Sequence, residues 1–194
     1  QLLNEFAKLG GKGIAAPSAN RFGQVSPTTA IAVQEEIGSF LDGEDLILDG
    51  GPCVVGVEST IIDCTSASPR ILRPGAITIE MIESATGLKV EQSEKPEIRV
   101  SGSLENHYAP AAQVVLDVDP QSGDDFIALS EFETPSGVIR LAAPRSVEAF
   151  AHDLYEALRS GDAKELERIV VWQPMGDGIA IAIRDRLSRA AAGR

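Results

Sequence analysis

A polar and charged stretch near the middle of the chain separates two regions that each have the apolar patterning of a folded unit. Residues 90–106 read VEQSEKPEIRVSGSLEN, without the regular spacing of apolar side chains that helices and strands require. Such a composition is typical of a linker between domains. The sequence therefore predicts one unit at residues 1–92, a linker at residues 93–111 and a second unit at residues 112–194.

Both units alternate helix-like and strand-like segments, which predicts the α/β fold class. In the first unit, apolar spacing and capping residues predict helices over 1–9, 27–37 and 78–86. The strands predicted there cover 13–16, 45–49, 54–64 and 69–75. In the second unit, strands are predicted at 113–118, 126–130, 138–141 and 168–172, and helices at 146–160 and 178–192.

The charge and the cysteines restrict the class of protein. A formal net charge of −12 disfavours strong non-specific binding to nucleic acid or to an anionic membrane, because phosphate binding needs clustered basic side chains. We therefore expect weak or no direct nucleic-acid binding and no membrane partner. Cys53 and Cys64 form no CxxC pair and have no histidine nearby, which disfavours a zinc site and a disulfide framework. Free thiols of this kind indicate a cytoplasmic location.

The first candidate site is the loop at residues 15–30, AAPSANRFGQVSPTTA. Arg21 is the only charged residue between positions 13 and 34, and the loop is rich in short polar side chains. Ser26 and Pro27 predict an N-cap followed by the first helical position. A loop of this kind is either an ordinary capped connection or an anion site at a helix N-terminus, and the stretch by itself leaves both open.

Three other polar features interrupt apolar segments. Glu58, Ser59 and Thr60 lie inside the predicted strand 54–64, where they form either a hydrogen-bonded bulge or a site that faces a ligand. Arg70 and Arg73 lie on opposite sides of a strand, so at most one of them faces a site and the other is solvated. His152 lies on a predicted helix, and we expect it to be a surface or packing residue.

Four motifs in order resemble the YrdC-like threonylcarbamoyl-AMP synthases. They are APSAN with SPT within residues 16–28, STIID at 59–63, ILRPG at 71–75 and HYAP at 107–110. The HYAP motif in the linker resembles the two-domain members of that family. The resemblance implies part of a YrdC-like twisted α/β sheet domain followed by a small Rossmann-like α/β domain. It also implies that the chain is the C-terminal portion of a longer enzyme.

Enzymes of this family condense L-threonine, bicarbonate and ATP to threonylcarbamoyl-AMP and pyrophosphate. The resemblance therefore implies these three substrates, and downstream tRNA-modifying proteins as partners that use the product. It also implies Mg²⁺, which we expect the nucleotide rather than a protein cage to carry. No histidine and aspartate stand in an arrangement that would activate a serine, so we expect catalysis by positioning, without a catalytic nucleophile.

The resemblance assigns site residues by their positions in the motifs. Ala16 and Ser59 would line the threonine pocket. The residues that would contact ATP are Ser18, Asn20, Ser26, Arg73 and Tyr108. Arg73 suits a phosphate because a guanidinium makes paired hydrogen bonds, and Tyr108 would fold over the nucleotide as part of a lid.

A second hypothesis is an RNA-binding or regulatory module without catalysis of its own. It is motivated by basic surfaces in some YrdC-like proteins and by the tRNA context of the family. The charge of −12 argues against it. A third is that this chain is an inactive fragment with a structural role.

Overall fold

The computed structural model of the chain describes residues 1–92, 100 and 108–193, and it confirms the α/β fold class. The helices are α1 (Leu2–Lys8), α2 (Ala30–Ile37), α3 (Ile79–Thr86), α4 (Val147–Ala163) and α5 (Ile179–Ala191), with a 3₁₀ turn at Gly38–Phe40. The strands are β1 (Ile61–Asp63), β2 (Arg70–Arg73), β3 (Glu91–Gln92), β4 (Gln113–Leu116), β5 (Asp125–Ile127), β6 (Ile139–Ala142) and β7 (Arg168–Val171). Residues 1–92 are called the N-terminal half below, and residues 108–193 the C-terminal half.

The C-terminal half is built on a parallel four-stranded sheet in the order β4-β7-β5-β6. After their first residue, the central strands β5 and β7 contain only apolar residues. Phe126, Ile169 and Val170 are fully buried, as expected in the centre of a parallel sheet. Helix α4 begins after Ser146, whose hydroxyl accepts a hydrogen bond from the Ala149 N–H. All six elements predicted in this half are confirmed, with ends that differ by a few residues.

The N-terminal half contains a smaller sheet in which β1 and β2 are antiparallel and β2 and β3 are parallel. Helix α3 is confirmed: the Thr78 hydroxyl caps its N-terminus, and Gly87 ends it with a φ of 71°. Gly87 takes the left-handed conformation that glycine adopts without a steric penalty. Helix α1 is also present, but in the part of the chain that the structure describes none of its residues is buried.

Four predictions for the N-terminal half are wrong. Residues 13–16 and 45–49 are not strands, and the strand predicted over 54–64 is reduced to β1, because the remaining residues pair with no strand among those described. Ser26 is not a helix cap. Helix α2 begins later, where the Thr29 hydroxyl accepts from the Ala32 N–H, because the Ser26 hydroxyl donates to Glu58 instead.

The larger of the two hydrophobic clusters among the described residues extends through both halves. Val25 and Val57 of the N-terminal half pack in it with Leu154 of α4 and Ile183 of α5. The backbone at Gly56 lies so close to α4 that a Cβ there would collide with the carbonyl oxygens of Ala151 and His152. The two halves are therefore packed tightly together on this side. Within the described ranges, no helix has the length and apolar character needed to cross a membrane.

Candidate functional site

Polar side chains collect where the N-terminal half meets α4 and α5. The Glu58 carboxylate accepts hydrogen bonds from the Ser26 hydroxyl at 2.8 Å, the Tyr155 hydroxyl at 2.8 Å and Arg186 Nε at 2.7 Å. We call these four residues the Glu58 cluster. The carboxylate of Glu58, which interrupts an apolar segment, therefore has hydrogen-bond partners on α4 and α5 as well as in the loop. This agrees with the hydrogen-bonded alternative given above for residues 58–60.

Arg186 is the most enclosed charged residue of the cluster. Its side chain is fully buried, pairs with Asp185 and lies over the Tyr108 ring, with the guanidinium carbon 5.3 Å from the ring centroid. Burial by itself lowers the pKa of Arg186, but the neighbouring Tyr155 and Glu58 more than offset it, so that the pKa is raised. The side chain therefore stays charged, and its ion pair with Glu58 is a fixed feature of the interior.

The two tyrosines beside Arg186 are held in their neutral form. Burial, followed by the charge of Glu58, raises the pKa of Tyr108 and raises that of Tyr155 well above its usual value. The rings stack with their centroids 5.7 Å apart and an interplanar angle of 22°. Both side chains are almost wholly covered. Tyr108 is also one of the few non-glycine residues with a positive φ, 61°, so tertiary contacts hold its backbone in a sparsely populated region.

Ser59 and Arg73, which were assigned to different substrates, lie in direct contact. Arg73 Nη2 donates to the Ser59 carbonyl oxygen at 2.9 Å and to the Ser59 hydroxyl at 3.3 Å, and Nε donates to the same carbonyl at 3.1 Å. Arg73 is only 7% exposed, whereas Ser59 is exposed. Arg73 at the end of β2 and Ser59 just before β1 thus place a guanidinium and a serine hydroxyl together at the edge of the interior.

Arg70 is on the same strand as Arg73, β2, but its side chain has a different partner. Its Nη2 donates to Asp63 at 3.0 Å across the β1–β2 pair, so it is ion-paired rather than simply solvated. The side-chain and backbone hydrogen bonds from Thr65, together with Arg70, lower the pKa of Asp63 to about 2. The alternation of the strand therefore separates the roles of the two arginines.

The early part of the 15–30 loop is exposed. Ala16 and Ser18 lie on the surface, and the Ser18 hydroxyl donates to the Asn20 side-chain oxygen. The Asn20 amide in turn donates to the carbonyl of Arg21 at 2.9 Å and to that of Gln24 at 3.1 Å, which fixes the turn. The loop becomes buried only toward its end, at Val25, Ser26 and Thr28.

The loop also contacts α4 through a second group of charges. Glu36 accepts from Arg21 Nε at 3.0 Å and from Arg159 Nη1 at 3.1 Å. Burial would raise the pKa of Glu36, but the hydrogen bonds from these arginines lower it overall. A polar cavity of about 300 Å³ lies here, lined by Arg21, Glu36, Arg159 and Asp162 among others.

Comparison with known proteins identifies the family. Residues 1–75 match the family model described as "Telomere recombination", and residues 77–192, more than half of the chain, match "Threonylcarbamoyl-AMP synthase, C-terminal domain". The chain belongs to the threonylcarbamoyl-AMP synthase family. The resemblance stated from the four motifs is confirmed, and the chain carries sequence from the regions that both models describe.

Individual members of the threonylcarbamoyl-AMP synthase family are similar over most of the chain. Threonylcarbamoyl-AMP synthase of Bacillus subtilis is 36% identical over 208 residues, a match that covers 95% of this chain and 58% of the relative. The enzyme of the same name from Pyrococcus abyssi is 32% identical over 207 residues, covering 96% of this chain and 60% of the relative. The chain thus spans less than two thirds of the length of either relative.

Two solved structures of family members share the fold. A crystal structure of Pyrococcus abyssi Sua5 complexed with L-threonine has a TM-score of 0.71 and 29% identity, covering 91% of this chain and 57% of that chain. A Pyrococcus abyssi Sua5 variant in which an adjacent histidine and tyrosine are both replaced by alanine has a TM-score of 0.77 and 25% identity, covering 98% of this chain and 60% of that chain.

The structure brings together some of the predicted site residues of this family member and leaves others apart. Ser26, Ser59, Arg73 and Tyr108 all lie in or next to the Glu58 cluster. Ala16, Ser18 and Asn20 lie on the outer part of the loop. Tyr108, which is expected to fold over the nucleotide, is buried beside Arg186 and Tyr155, and His107 of the same motif lies outside the described residues.

Sequence reasoning missed the residues that connect the two halves. Tyr155, Arg159 and Arg186 were assigned no role. Arg186 carried a readable signal, because it sits between Ile183 and Leu187 in the apolar stripe of α5, where an unpaired charge would be unfavourable. A charged residue in such a stripe predicts a buried partner, although the sequence does not say which one. In the described ranges, no group of three or more histidine, cysteine, aspartate or glutamate side chains is placed to hold a metal ion.

Proposed function

We propose that this chain forms part of an enzyme that converts L-threonine, bicarbonate and ATP to threonylcarbamoyl-AMP and pyrophosphate. One observation carries the proposal: relatives named threonylcarbamoyl-AMP synthase align with nearly the whole chain. The contact between Ser59 and Arg73 supports it, because a residue assigned to threonine then lies beside one assigned to ATP. Threonine is the ligand named in one of the related structures, which is consistent with this pairing.

The reaction requires positioning more than it requires a reactive side chain. The threonine amine joins bicarbonate to form a carbamate and water, and a carbamate oxygen then attacks the α-phosphorus of ATP. The bond from that phosphorus to the bridging oxygen breaks, and pyrophosphate leaves. A guanidinium stabilises charge on the phosphoryl group, and hydroxyls orient the two substrates. Mg²⁺ carried by the nucleotide fits this scheme, because its ligands would be phosphate oxygens.

The proposed roles follow the motifs. Ala16 and Ser59 line the threonine pocket. Ser18, Asn20 and Ser26 orient the nucleotide from the 15–30 loop. Arg73 binds phosphate or ribose, and Tyr108 closes the site beside Arg186. In this scheme the domain bounds are residues 1–92 and 112–194 with a linker at 93–111, the enzyme is cytoplasmic, and its product passes to downstream tRNA-modifying proteins.

The neighbouring arginines of β2 offer a matched test. In the full-length native protein that carries this chain, pyrophosphate release should depend on both threonine and bicarbonate. Arg73→Ala should lower kcat/KM by about 100-fold, since a charge-assisted contact to the phosphate is lost. Arg70→Ala removes an arginine three positions away that pairs with Asp63, and it should leave kcat/KM within about twofold.

The possible outcomes test the proposed reaction and the role of Arg73 separately. Absence of threonine-dependent pyrophosphate release in the native protein would refute the proposed reaction. Normal turnover in the Arg73→Ala variant would refute only the role of Arg73. Equal losses in both variants would show that the effect comes from the strand rather than from the guanidinium that contacts Ser59.

A further inference from the structure

One side chain of the C-terminal half holds two separate segments of the N-terminal half. Arg186 Nε donates to the Glu58 carboxylate at 2.7 Å, and its Nη2 donates to the Pro74 carbonyl at 2.9 Å. Glu58 immediately precedes Ser59, and Pro74 immediately follows Arg73. The guanidinium therefore fixes the chain directly next to both members of the Ser59–Arg73 contact.

The two segments are packed backbone against backbone at this point. A Cβ on Gly75 would meet the carbonyl oxygen of Glu58 and the carbonyl carbon of Ser59 at 2.5 Å, which is closer than real Cβ atoms come to other groups. The backbone at Gly75 is therefore in direct contact with the backbone of residues 58–60. A displacement of Arg186 would therefore be transmitted to Ser59 and Arg73 together.

The other oxygen of Glu58 extends the connection to the loop. Glu58 Oε1 accepts from Ser26, while Oε2 accepts from Tyr155 and Arg186. Tyr155 and Arg186 belong to α4 and α5, whereas Ser26 is at the buried end of the 15–30 loop. The Glu58 carboxylate thus connects two helices of the C-terminal half to the segments that carry the three proposed substrate contacts. Those contacts are Ser26, Ser59 and Arg73.

We propose that Glu58, Tyr155 and Arg186 are positioning residues by which the C-terminal half sets the relative placement of Ser26, Ser59 and Arg73. The proposal rests on the proposed function, since it takes those three residues as substrate contacts. Glu58, Tyr155 and Arg186 touch no substrate in this scheme and act through the residues that do. The C-terminal half is thereby a structural part of the substrate site rather than a separate appendage.

The chemistry of the Glu58 cluster suits it to fixing the positions of the segments that it joins more than to stabilising the fold. A buried ion pair adds little net stability compared with well-packed apolar side chains of the same size. Its directional hydrogen bonds, however, permit only one arrangement of the groups that they join. A cluster that satisfies both oxygens of a single carboxylate is suited to fixing distances between segments.

Two variants test this with little change in packing. Tyr155→Phe removes only the hydroxyl that donates to Glu58 and keeps the ring stacked on Tyr108. Glu58→Gln keeps the shape but removes the charge beside Arg186, and its amide would donate to Ser26, which must then accept. Arg184→Gln is the control, because Arg184 is on the same helix as Arg186 but donates to Pro174 and Gly176 within the C-terminal half.

Two measurements on the full-length native protein distinguish positioning from simple stabilisation. The first is kcat and KM for threonine and ATP, well below the unfolding temperature. We expect kcat/KM to fall about fivefold in Tyr155→Phe and about 20-fold or more in Glu58→Gln, mostly through KM, with Arg184→Gln within about twofold. The second is hydrogen exchange of the peptides covering residues 22–30 and 56–60, which should be faster in both cluster variants and unchanged in the control.

Each outcome either supports or overturns the positioning role of the Glu58 cluster. Faster exchange in these N-terminal peptides together with raised KM supports the proposal. Wild-type exchange there, or unchanged kcat/KM in folded variants that only melt earlier, overturns it. If the wild-type protein shows no threonine-dependent turnover, the proposed function fails, whereas the exchange measurement still reports whether a hydroxyl on α4 orders the 15–30 loop.

Discussion

Arg70 and Arg73 show how three positions in a strand separate two kinds of chemistry. Arg73 turns inward to Ser59, and Arg70 turns to Asp63 on the neighbouring strand. The alternation of side chains along a strand predicts this separation from the sequence. The partners were not predictable, because each depends on which segments the fold brings together. Glu58 and Arg186, for example, are separated by 128 positions.

The hydrogen bonds that Asp63 accepts from Thr65, together with its ion pair with Arg70, should produce a measurable acid dependence of stability. The pKa of Asp63 is lowered to about 2 in the folded protein, so its contribution is complete above the ordinary aspartate pKa and is lost as the pH falls through about 2. Asp63→Asn should therefore destabilise the protein at pH 7 and differ less and less from the wild type between about pH 4 and pH 2. Denaturant unfolding at each pH measures this difference.

Asp119→Asn is the matched control, because the Asp119 side chain is exposed. At pH 7 it should change the free energy of unfolding by less than about 0.5 kcal/mol. A constant gap between the wild type and Asp63→Asn down to pH 2 would contradict the assignment of the acid dependence to this carboxylate.

At the level of whole elements, the C-terminal half was predictable because its signals are local. Continuous apolar runs give β5 and β7, and Ser146 marks the start of α4. The N-terminal half was less predictable, because its segments depend on distant partners. Residues 45–49 read DLILD, a short apolar run typical of a strand, yet they pair with no strand within the described part of the chain. Ser26 has the sequence of a helix cap, but its hydroxyl is used by Glu58.

The contact between Gly56 and α4 predicts the effect of adding one methyl group. Gly56→Ala should force α4 away from the N-terminal half, because the new Cβ would overlap the carbonyl oxygens of Ala151 and His152. We expect the free energy of unfolding to fall by about 1–3 kcal/mol, as for other overpacked sites. Gly43→Ala is the control, since none of the described atoms lies within 4 Å of a Cβ there, and it should change stability by less than about 0.5 kcal/mol.

Denaturant unfolding followed by circular dichroism measures both glycine variants. Equal stability of Gly56→Ala and Gly43→Ala would mean that the two halves are not packed as tightly against each other as the contacts of Gly56 require.

At the scale of the whole chain, the net charge of −12 disfavours a role as a general RNA-binding module. The chain should therefore show no saturable binding of tRNA below about 100 μM at physiological salt in the absence of ATP. Filter binding at two salt concentrations measures this. Binding in the low micromolar range that weakens steeply with salt would instead favour the RNA-binding hypothesis.

The central claim is that the Ser26, Ser59 and Arg73 contacts serve the synthesis of threonylcarbamoyl-AMP. The most direct measurement supplies isotopically labelled bicarbonate, L-threonine and ATP to the full-length native protein and identifies the nucleotide product by mass spectrometry. We predict threonylcarbamoyl-AMP that carries the label, formed in equal amount to pyrophosphate and reduced about 100-fold in Arg73→Ala. Pyrophosphate release without a labelled threonylcarbamoyl product, or no product at all, would contradict the claim.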